Sequence, residues 1–204
     1  MNQLLILGFS VMTITGCNSE KSDSKGSVIE KNQKSVKVEQ QVENNQTDCE
    51  IATQVDLFVD EIANNPSVYV NGKINDNCVL SLIDSLSIRA INTHQDKYFN
   101  ALGAICSISD GYVSEYFLDI GVYQFYQNFN HLIDYTFQQS QKGENCLRKM
   151  IIEAISMQIS DGGDKKEKEV VEFIERKIKE YHFPKEKVVF IKQLQKEFDP
   201  SMFD

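Results

Sequence analysis

The chain has 204 residues with 21 basic and 30 acidic side chains, a formal net charge of -9. That balance excludes the basic footprint on which nucleic-acid binding depends, and it suits a soluble body that complements a basic partner. No run in the main body, residues 48–204, is long and apolar enough to span a bilayer, and its length is that of one ordinary domain.

In chain order, the first element is "MNQLLILGFSVMTITG", residues 1–16. It holds an uncharged apolar stretch (Leu4, Leu5, Ile6, Leu7, Phe9, Val11, Met12) too short for a mature transmembrane helix and of the size of a signal-peptide core. The four residues Ile14-Thr15-Gly16-Cys17 follow it. They resemble the bacterial lipobox, an aliphatic and two small residues before the cysteine that becomes acylated and N-terminal after cleavage. The resemblance implies a bacterial lipoprotein with residues 1–16 as signal peptide and Cys17 as the lipidation site, palmitate among its acyl groups, held in the cell envelope. "MNQ" carries no Lys or Arg, a departure from the usual positive start. Asn18 stands where an Asp is linked to inner-membrane retention. This points to the outer membrane facing the periplasm in a two-membrane bacterium, and otherwise to the outer face of the cell membrane.

Residues 18–47 contain no aromatic residue and few aliphatic ones. They cannot bury enough surface to offset chain entropy and are expected to form a disordered tether, so that 17–47 is a lipid-anchored leash. Its reach is on the order of 100 Å extended, or roughly 30 Å as a flexible coil.

From Cys49 the apolar spacing is helical. Ile51, Val55, Phe58, Val59 and Ile62 mark a first helix, stopped by Asn64-Asn65-Pro66. In "VYVNGKI", residues 68–74, Asn71-Gly72 is a hairpin signal, but the segment is short and reads as a loop. A second helix starts with Asn77 as N-cap, a third near Thr93 or His94, and a fourth after Ser109-Asp110-Gly111 with Asp110 as cap. A fifth runs from Phe129 to Gln138, and a sixth covers "NCLRKMIIEAISMQIS". The seventh follows the capping turn "DGGDKKEKE" and ends at Phe183-Pro184; "KEKVVFIKQLQKEF" makes the eighth. The expected fold is all-α, with seven or eight helices.

A weak internal echo runs through the body. Each half opens on a cysteine, passes through Phe-aliphatic-Asp (Phe58-Val59-Asp60 and Phe117-Leu118-Asp119) and reaches Asn-Cys before a helix, with the two Asn-Cys steps 68 residues apart. It resembles stacked helix pairs of the HEAT-like kind. Setting Cys17 aside leaves Cys49, Cys78, Cys106 and Cys146, an even number with three possible connectivities. The echo selects Cys49–Cys78 and Cys106–Cys146; separately buried free cysteines are the alternative.

The cysteines are too widely spaced, and His94, His131 and His182 too isolated, for a zinc site, and no metal or cofactor is expected. Glu115 and Asp119 share a helix face and could form an acid–base pair, although a solvated stripe is the commoner meaning. Aromatic residues crowd the segment Tyr112 to Tyr135 beyond what one helix face can hide. With Asp110, Glu115, Asp119 and Asp134 they suggest an interface, comprising Asp110, Tyr112, Glu115, Tyr116, Asp119, Tyr123, Tyr126 and Asp134. The expected function is a non-enzymatic, immunity- or inhibitor-like module that binds another envelope protein, a basic one. The alternative is a structural or assembly scaffold of an envelope complex.

Overall fold

The computed structural model describes residues 50–70, 75–143 and 145–203. The signal-peptide and tether readings, Cys17, Cys49 and the Asn71-Gly72 turn lie outside these residues. Among the described residues there are nine α-helices and no strand: α1 Glu50–Thr53, α2 Val55–Asn64, α3 Ser67–Val70, α4 Asp76–Thr93, α5 Asp96–Ile108, α6 Gly111–Gln127, α7 Phe129–Ser140, α8 Cys146–Tyr181 and α9 Lys185–Lys196. A short 3-10 turn, Pro200–Phe203, follows. None of these helices is long and apolar enough to cross a membrane.

The fold is all-α, as the periodicity predicts. The first expected helix is broken at Gln54 into α1 and α2, and residues 67–70 close a helical turn after Pro66. The sixth and seventh expected helices join as α8, bent at Gly163 (φ 60°, ψ -157°). The turn expected across "DGGDKKEKE" is therefore concentrated in one residue, whose backbone lies in a region open essentially to glycine alone.

Two helix starts differ from expectation, and a third stands where expected without its capping bond. The cap of α4 is Asn75, whose side chain accepts from the Asn77 N–H at 2.9 Å, so Asn77 is inside the helix it was expected to cap. Thr93 and His94 end α4 rather than open α5: His94 takes the left-handed C-cap conformation (φ 51°), and α5 begins at Asp96. Asp110 does occupy the N-cap position of α6, but its side chain makes no capping bond. By contrast Asn145 caps α8 through its side chain, accepting from Leu147 N–H at 2.9 Å.

Packing follows the apolar stripes. α2 lies on α5, α4 on α5 and α6, α6 on the first half of α8, and α7 on α8 and α9; the terminal turn rests against α8. In the second half of the echo the two helices, α6 and α8, do pack as a pair; in the first half α2 lies mainly on α5, while α4 takes α1, α5 and α6. Leu82, Ile83, Leu86, Phe99, Leu102 and Leu132 are wholly buried. The α6–α8 crossing is close because Gly121 has no side chain: a Cβ there would stand 3.0 Å from the Ala154 Cβ.

The Cys106–Cys146 disulfide joins the end of α5 to the start of α8, with Cα atoms 6.0 Å apart. It is the pairing the echo selected. Cys78 is also disulfide-bonded; its expected partner, Cys49, falls outside the described residues.

Candidate interaction surface and cleft

Helix α6 is fixed in rotation by polar contacts from α4. The Tyr116 hydroxyl donates to Asp84 Oδ1 at 2.6 Å. Two turns on, the buried Gln124 amide donates to the Ser87 carbonyl (2.8 Å) and hydroxyl (2.6 Å), and Asn128 donates to Gln124 Oε1 at 3.0 Å. Left unpaired, each of these buried groups would cost on the order of 1–3 kcal/mol, so the seam permits only one rotation of the helix.

That rotation buries Val113, Phe117, Ile120 and Phe125 and turns outward a strip of Tyr112, Glu115, Asp119 and Tyr123, with Tyr116 half-buried at its edge. Tyr112 and Tyr123 are 43% and 47% exposed. Glu115 and Asp119 are exposed, and neither makes an ion pair among the described residues. Asp110 is exposed at the head of the same helix.

Two of the expected interface residues are used inside the fold instead. Asp134 lies on α7, where Lys187 of α9 donates to its carboxylate at 2.5 Å; its charge is spent on packing α9. Tyr126 is half-buried in an aromatic cluster, its ring 5.1 Å from Phe125 and 4.9 Å from Phe173. Tyr135, which bounds the aromatic segment, is buried and donates to Asn100.

A second feature opens beside α6. A cleft of about 1300 Å3 lies among the ends of α5 and α7, the starts of α6 and α8, and α9. Its apolar wall includes Leu118, Phe137, Ile152 and Val189, and the Cys106–Cys146 disulfide forms part of it. The Ser107, Ser109 and Ser140 hydroxyls donate back to carbonyls of their own helices. Arg148 is engaged by Glu197 at 2.5 Å, and Lys149 faces Glu153 at 3.5 Å. The three histidines lie elsewhere. Among the described residues the lining offers surface for binding and no paired nucleophile and base. Among the described residues no cluster of His, Cys, Asp or Glu is arranged to hold a metal.

Tyrosine–carboxylate contacts recur across the domain. Besides Tyr116 and Asp84, Tyr98 donates to Asp56 at 2.6 Å, and Asp56 also receives Arg89 at 2.8 Å. The hydroxyls of Tyr69, Tyr98, Tyr112 and Tyr116 are pushed up to about 12, first by burial and then by the adjacent carboxylates of Glu61, Asp56, Asp76 and Asp84 respectively. Tyr135 is raised to about 12 by burial and the nearby Asp96. A phenolate would lose the bond it donates and gain repulsion.

Asp84, Asp56 and the cleft were not singled out from sequence. The cleft's one sequence signal is the disulfide pair, which brings the ends of α5 and α8 together. Compared with protein-family models, curated proteins and solved structures, the chain matches none.

Proposed function

We propose that this chain is a lipid-anchored envelope module that binds another protein through the outward strip of α6: Tyr112, Glu115, Tyr116, Asp119 and Tyr123. The observation that carries the reading is the pairing of two large exposed aromatics with two carboxylates that no cation among the described residues answers. Tyrosine supplies contact area at low entropic cost, and unanswered acids steer a basic partner. Cys17 supplies the anchor.

Two experiments test the halves separately. Reversing both acids, Glu115→Lys with Asp119→Lys, should slow capture of the partner and flatten its salt dependence, with the unfolding midpoint nearly unchanged because exposed helix charges contribute little. Equal capture by both proteins at low salt would refute the strip. Cys17→Ser should abolish incorporation of labelled fatty acid, and undiminished label would refute the anchor.

A further inference from the structure

The Cys106–Cys146 disulfide is open to the cleft. Both of its half-cystines are partly exposed and line the cleft, whereas Cys78 is 3% exposed. A thiolate must reach a disulfide sulfur along the S–S axis, so an open wall permits exchange where a packed core prevents it.

The two sulfurs are also electrically unlike. Cys146 is the first residue of α8, where free N–H groups and the helix dipole favour a thiolate, and Arg148 and Lys149 share its first turn. The carboxylates of Glu197 and Glu153 temper those two cations without reversing the field of the helix end. Cys106 lies in the last turn of α5, which ends at Ile108, so it meets the negative end of a helix. Exchange is faster when the departing sulfur is the better thiolate.

We propose that Cys106–Cys146 is a thiol–disulfide exchange site that takes a low-molecular-weight thiol from the cleft, with Cys106 attacked and Cys146 released. The incoming thiolate forms a new S–S bond to Cys106 Sγ. The Cys106–Cys146 bond breaks, and its electron pair leaves on Cys146 Sγ; one disulfide replaces another with no net oxidation. Return attack by the Cys146 thiolate on Cys106 expels the small thiol and restores the staple. Attack by a second thiolate on the small thiol's own sulfur instead releases the symmetrical small-molecule disulfide and leaves both cysteines reduced. The first turn of α8 remains held by buried Leu147, Met150 and Ile151 and by the Asn145 cap, so the domain stays folded with the staple open.

The test exposes the native full chain to reduced glutathione at neutral pH without denaturant, quenches it at intervals by alkylation and maps the modified peptides by mass. The bond between Cys106 and Cys146 should open about tenfold or more faster than the domain unfolds globally, and the glutathione adduct should sit on Cys106 while Cys146 carries the alkyl label. Circular dichroism on the same samples should keep its helical signal. Lys149→Glu, exposed and outside the core, should slow opening without moving the unfolding midpoint. Opening of the Cys106–Cys146 bond only at the rate of global unfolding would overturn the proposal, and so would an adduct found on Cys146.

Discussion

Phe125 gives the sharpest test of how the second half of the domain is held. Its side chain is wholly buried, and its ring lies 5.4 Å from Phe129, 5.3 Å from Phe173 and 6.1 Å from Phe198. Those partners belong to the start of α7, the part of α8 beyond the Gly163 bend, and the segment after α9. Phe125→Ala removes the ring from all three at once. Truncating a buried phenylalanine costs about 3–5 kcal/mol, and the lost edge-to-face contacts place this site near 4–5. For a domain of this size that lowers the melting temperature by roughly 8–20 °C. Phe125→Leu keeps most of the volume and should cost about 1.5 kcal/mol or less. Urea unfolding followed by circular dichroism checks both, with the midpoint falling and the slope unchanged. A loss for Phe125→Ala below about 1.5 kcal/mol, or equal losses for the two variants, would refute the view that this ring joins the three segments.

Stability should fall at alkaline pH. The tyrosines held at about 12 in the fold ionise near the ordinary value of 10 once unfolded, so the unfolded chain releases protons first and the stabilisation present below pH 10 is lost between 10 and 12. Unfolding midpoints against pH, alongside tyrosinate absorbance, check this; Tyr98→Phe with Tyr116→Phe should soften the decline. Gly163→Ala should destabilise by about 1–3 kcal/mol in thermal or urea unfolding, since its backbone at φ 60° and ψ -157° admits no Cβ without strain, although nothing lies within 4 Å of the added atom. A wild-type midpoint for that variant would show that the bend relaxes freely.

Helices and their apolar faces could be read from local spacing because a 3.6-residue period is a property of neighbours in sequence. Val113, Phe117 and Ile120 point inward as their spacing requires. The errors have long-range causes. Nothing near Asp134 in sequence announces Lys187, 53 residues on, so a carboxylate fixed in a helix–helix contact looked like free surface charge. Tyr126 and Tyr123 are indistinguishable by type, and only the rotation of α6 against α4 and α8 sends one inward and the other out. Asn75 and Asn77 compete for the same cap, and a shift of two residues decides between them without changing the stripe behind. The cleft is invisible to periodicity because it exists between helix ends.

The use of tyrosine as the partner of buried-edge carboxylates has a consequence for how the molecule behaves in company. A lysine in place of Tyr116 would cancel the charge of Asp84; a phenol donates its hydrogen and brings no opposing charge. Helix is thereby fastened to helix while the outward field of an anion is kept. Two copies approaching within a Debye length, about 8 Å at physiological ionic strength, therefore repel, and added salt lets them crowd together more readily than it loosens the interior of either.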